Sequence, residues 1–192
     1  MALFVDPLTI QMAIIIIANA VAVSLLISIK SALNIDRLKA HGLVLASLAV
    51  PSLVLALFTS AIWPLPGSYN IIYGDAFLLF SVVLLSAGLL LYYVPRQYPV
   101  ISVPLLFAGL FSIIYGASVY ANSLSSEPLL AGAFFALEGL AAASTAYAIM
   151  RKNPMFTNIA IFLFVLATLA VAVIDVPAIF AHATSFAKWV PG

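Results

Sequence analysis

Hydrophobic positions in this chain come in long unbroken runs, and they do not alternate with polar ones. A helix crosses the hydrocarbon of a bilayer with about 20 apolar residues. Six runs meet that length. They extend from Pro7 to Ile29, Ala40 to Ile62, Ala76 to Val94, Val100 to Ala121 and Pro128 to Met150, and from Phe156 to an end between Ile174 and Ala181. Membrane strands would show ten-residue segments with a period of two, which is not the pattern here. The predicted fold is all-α: an integral membrane bundle of six transmembrane helices forming a single domain.

The ends of the runs carry helix-start chemistry. Asp6-Pro7 and Glu127-Pro128 put an acid beside a proline, and Asp75 precedes the third run. A carboxylate can accept from the free N–H groups of a first turn, and proline there has no N–H to leave unpaired. In the sixth run, Asp175-Val176-Pro177 predicts a break or kink with Asp175 capping a restart. Pro51 predicts a kink in the middle of the second helix.

Orientation follows from the basic residues. Lys30, Arg37, Lys39, Arg96, Arg151 and Lys152 all fall between odd and even runs, and only Lys188 falls on the other side. The positive-inside bias makes the first set cytoplasmic and places both termini outside, in a multi-pass protein of the cell membrane. Aromatic residues mark two interfaces. Trp63, Tyr69, Tyr73, Tyr120 and Trp189 belong to the outer one; Tyr92, Tyr93, Tyr98 and Tyr147 belong to the inner one. The chain thus reads as three hairpins. The shared acid starts are consistent with an ancestral repeat, but any membrane hairpin has similar constraints.

Composition agrees with this picture. Of 192 residues, 66% are hydrophobic and 7% charged, against roughly 25% charged in a soluble domain. The net charge of +1 gives no basis for binding nucleic acid. With no cysteine, disulfides, thiolate metal sites and cysteine nucleophiles are excluded. The first run is not a secretory signal, since Asp6 is the only charge before Lys30.

Candidate chemistry centres on Glu138. It lies about ten residues into the fifth run, or about 15 Å deep at 1.5 Å per residue, the middle of a bilayer. Carboxyl groups at that depth face a bundle interior or a cavity. The functional reading is a proton or cation site, or a hydrogen-bond partner for a quinone-type head group; the structural one is a protonated acid making one interhelical hydrogen bond. Asn19, Ser86, Ser112 and Thr168 fall at similar depth and would complete a central polar layer. Ser and Thr often bond their own backbone instead, whereas Asn19 is expected to bond across helices.

At the outer face, Asp175 and His182 are candidates, but two ligands fall short of a metal site. His41 reads as an interfacial residue, and no metal is expected. The connection from Trp63 to Asp75, with Tyr69 and Tyr73, is the candidate outer surface for a partner or ligand, or else a packed lid. Small residues recur every four positions at Ala108, Ser112 and Gly116, at Gly132 and Ala136, at Gly139 and Ala143, and at Ala18 and Ala22, marking close helix contacts.

Trp63-Pro64-Leu65-Pro66-Gly67, Tyr69-Asn70 and Gly74-Asp75, after the opening Phe4-Val5-Asp6-Pro7-Leu8, resemble a family of small archaeal and bacterial membrane proteins classed as a domain of unknown function. The resemblance implies a multi-helix membrane fold and assigns no activity.

Three functions remain open. The first is an accessory or structural subunit of a larger membrane complex, respiratory for example, contacting other subunits through small-residue faces. The second is a small proton- or cation-coupled transporter or channel using Glu138. The third, an intramembrane enzyme, lacks HExxH, Gly-x-Ser-x-Gly and paired core aspartates, so no catalytic residue is assigned. No cofactor is implied, beyond room for a bound lipid or quinone.

Overall fold

A computed structural model describes residues 7–31, 34–65 and 67–186. Asp6, Pro66, Lys188 and Trp189 lie outside these, and with them the Asp6 cap and the placement of Lys188 and Trp189 at the outer face. The described chain forms six long helices: α1 (Pro7–Ser31), α2 (Ile35–Ile62), α3 (Tyr69–Tyr93), α4 (Ser102–Ala121), α5 (Pro128–Arg151) and α6 (Pro154–Phe186). A 3-10 segment, Pro95–Ile101, joins α3 to α4. All six spans are long and apolar enough to cross a membrane. Large apolar side chains in mid-helix point outward, among them Ile17, Val54, Phe107, Phe162 and Leu169. That surface is stable only against lipid, so the protein is a multi-pass membrane protein.

Neighbouring helices run antiparallel. Ser24 faces His41 and Gln11 faces Ser52 between α1 and α2, while Lys30 donates to Asn158 between α1 and α6. Lys30, Arg37, Lys39, Arg96, Arg151 and Lys152 therefore gather at one end of the bundle, hereafter the basic end.

Two helix pairs come into backbone contact. Where α2 meets α3, a Cβ on Gly42 would lie 2.7 Å from the Gly88 carbonyl oxygen, and one on Gly88 would lie 2.8 Å from that of Gly42. On α4 and α5, a Cβ on Gly116 would lie 2.6 Å from the Gly132 carbonyl oxygen, and Gly109 meets Gly139 in the same way. No side chain fits at these crossings, which is how small residues bring membrane helices together. The faces around Gly116, Gly132 and Gly139 are thus occupied within the chain. By contrast, α3 and α4 touch much less closely.

Several boundaries differ from the sequence reading. α2 starts five residues early, where Asn34 Oδ1 accepts from Arg37 N (3.0 Å), an N-cap not singled out before. α3 starts at Tyr69, not near Asp75, so Asp75 lies inside the helix and cannot cap its first turn. Asn70 makes the early start feasible: it accepts from Leu65 N (2.8 Å) and donates to the Leu65 and Gly67 carbonyls, satisfying the connection's backbone. Glu127 does occupy the N-cap of α5, but its side chain makes no capping bond, so only Pro128 contributes as expected. α6 runs unbroken through Pro177, so Asp175 caps no restart. A missing N–H removes one hydrogen bond, which a long helix held by its neighbours tolerates. Likewise α2 continues through Pro51.

Candidate functional site

The packing leaves a partly enclosed cavity of about 180 Å³ between α1, α3, α4 and α5. Its walls are almost wholly apolar, with Leu26, Leu84, Phe80 and Phe164 typical of them. The cavity runs from Tyr98 and Ile101 of the 3-10 segment, near the basic end, past Glu138 to an aromatic cluster. Phe77, Phe134 and Phe135 of that cluster line the cavity. Tyr73 lies 5.8 Å from Phe135 and 6.2 Å from Phe77, ring centre to ring centre, and Phe134 lies 5.0 Å from Phe135. Tyr73 Oη donates to the Leu124 carbonyl (2.8 Å), tying α3 to the α4–α5 connection.

Among the described residues that line the cavity, Glu138 supplies the only carboxyl group. Asn19, 2% exposed, donates through Nδ2 to Glu138 Oε1 at 2.5 Å. Glu138 itself is half-buried and lines the cavity. No lysine, arginine or histidine among the described residues lines the space. The pair thus combines one hydrogen-bonded carboxyl oxygen with a second oxygen free to meet whatever enters.

Of the other residues expected in a central layer, Ser112 belongs to the same wall and donates across to the Phe135 carbonyl of α5 (2.7 Å). Ser86 and Thr168 do not join. Each donates to its own helix four residues back, to Val82 (2.8 Å) and Phe164 (2.8 Å), the local bond that serine and threonine commonly make. Thr145, not singled out from the sequence, lines the cavity and is occupied by the Ala141 carbonyl.

The outer-face candidates do not form one surface. Trp63 is exposed at a left-handed C-cap (φ 53°), Tyr69 is half-buried, and Tyr73 turns inward to the aromatic cluster. Asp75 is half-buried and accepts from Ser60 Oγ (3.4 Å). Asp175 is 1% exposed, inside the bundle, while His182 is exposed and lies 3.5 Å from Thr9 Oγ1. Among the described residues no cluster could hold a metal ion. His41 bridges helices: its Nδ1 donates to the Arg37 carbonyl (2.6 Å), which leaves Nε2 to accept from Ser24 Oγ (3.0 Å).

A second buried polar group went unread in the sequence. Ser81 Oγ donates to the Phe77 carbonyl (2.6 Å), so Ser52 Oγ donates to Ser81 (2.7 Å), and Gln11 Nε2 donates to the Ser52 carbonyl (3.3 Å). Gln11 Oε1 is buried with no hydrogen-bond partner among the described residues. Spacing carried a signal: Gln11, Ile15 and Asn19 recur every four residues and so share one helix face. Gln11 lies only about 6 Å from the helix start at 1.5 Å per residue, outside the central layer that depth picks out.

No curated protein and no solved structure matches the chain. A family model described as a protein of unknown function, DUF981, matches residues 1–185, which takes in all of the six helices but the last residue of α6, and the chain belongs to that family.

Proposed function

We propose that this protein binds a lipophilic small molecule in the middle of the membrane, with the molecule's polar part against Glu138 and Asn19. The observation that carries this reading is the central cavity itself: apolar walls with one carboxyl–amide pair. Ligand sites are typically concave and mostly apolar with a few placed polar groups. A hydrated cation would need more polar groups along its path, and Ser112 and Thr145 are already bonded to backbone carbonyls, so the lining favours a lipophile over an ion.

In this reading the basic end faces the cytoplasm of a cell membrane, a placement supported by its six lysines and arginines. Membership of a larger complex is compatible with ligand binding. It would use outward faces, since the small-residue faces of α4 and α5 are filled within the chain.

The test is organic extraction of protein purified from native membranes in mild detergent, followed by untargeted mass spectrometry. A lipophile present at near one per chain in wild type and depleted in Glu138→Leu supports the reading. Equal amounts in both, or none beyond bulk lipid, overturn it.

A further inference from the structure

Resting on that binding reading, we infer that the ligand is a neutral lipid with a carbonyl-bearing ring head group, of the quinone class, which enters sideways between α3 and α4. The volume sets the size of the head. A cavity of about 150 Å³ lined by Leu, Ile and Phe takes one benzene ring. The cavity here, at about 180 Å³, holds one substituted ring and no whole lipid. The tail must therefore lie outside it.

The way out is lateral. Phe77, Phe134 and Phe135, packed ring to ring, crowd one end of the lining. On the inner wall, Ile15, Ala18, Asn19 and Leu26 of α1 are buried. On α3 and α4 the lining residues Phe80, Val83, Leu105, Ala108 and Tyr115 are half-exposed, and these two helices are the loosely packed neighbours. An apolar tail in that seam would continue directly into the acyl chains.

Hydrogen-bonding capacity selects the head. Tyr115 and Tyr98 line the cavity, and their hydroxyls make no hydrogen bond to another described residue. Asn19 Nδ2 keeps a second N–H beyond the one given to Glu138. Spare donors call for acceptor oxygens, which ring carbonyls provide. An anionic head, such as a phosphate or fatty-acid carboxylate, would find a carboxyl group and no basic side chain.

The experiment is equilibrium binding to delipidated protein in nanodiscs of neutral phospholipid, with three probes of equal tail length: a decyl-benzoquinone, decylamine and undecanoic acid. The inference expects saturable quinone binding near one per chain, weakened at least tenfold by Tyr115→Phe and by Glu138→Leu. It also expects slower association in Ala108→Trp, which fills the α3–α4 seam. Circular dichroism and gel filtration establish folding, and Glu138→Gln serves if Glu138→Leu does not fold. Tighter binding of the amine or the acid, or quinone binding indifferent to these substitutions, overturns the inference. If no probe binds but a native lipophile copurifies, the head-group assignment fails and the binding reading stands; if neither is seen, both fail.

Discussion

Asn19 and Glu138, 119 residues apart in the chain, are joined by a hydrogen bond across the centre of the bundle. The bond links α1 to α5, so it positions the carboxyl group as well as stabilising the fold. Interhelical hydrogen bonds in membranes average about 0.6 kcal/mol and reach about 1.7. Asn19→Leu is expected to lower unfolding stability by about that range, and a double-mutant cycle with Glu138→Gln to show coupling of similar size. Additive losses in an SDS- or heat-unfolding series would mean that the two side chains do not act together.

Glycine positions separate two kinds of cost. Gly42→Val places side-chain atoms against the Gly88 backbone, so α2 and α3 must part. Overpacking of this kind costs about 1–3 kcal/mol. Gly67 has open space around it but a φ of +50°, so Gly67→Ala is expected to cost about 1 kcal/mol through the backbone alone. Melting of the purified variants checks this, with Gly42→Val the lower of the two.

Helix starts provide a third check. Asn34 caps α2 with a side-chain bond, whereas Glu127 at the start of α5 makes none. Asn34→Ala is expected to cost about 1 kcal/mol, and Glu127→Ala close to nothing. Equal losses in thermal unfolding would restore the capping role first read for Glu127.

Because the chain has no cysteine, single-cysteine variants report sidedness cleanly. A membrane-impermeant maleimide added to intact cells is expected to label Ser125→Cys, and to label Lys152→Cys only after lysis. The reverse pattern would turn the bundle over.

The helices were legible because hydrocarbon imposes one demand everywhere, that backbone polar groups bond within the helix while side chains stay apolar. Their ends were less so. Tyr69, Asn70 and Gly74 read as a loop by composition, yet Asn70 pairs the connection's backbone and lets α3 begin there. Pro177 read as a break or kink with a restart, but one long helix tolerates the loss of a single hydrogen bond. Glu138 and Asn19 were found because depth alone marks a costly side chain. Depth could not say which way Ser86 and Thr168 point, and both turn back to their own helices. The cavity could not be read at all, since a void depends on how loosely α3 and α4 meet.

Carbodiimide labelling tests most directly whether Glu138 faces a space open to the lipid phase. In delipidated protein, a lipid-soluble carbodiimide should modify Glu138, as mapped by peptide mass spectrometry, while a water-soluble one should leave it unmodified. A carboxyl group inert to both reagents, or one reached from water, would contradict a cavity that opens to the bilayer.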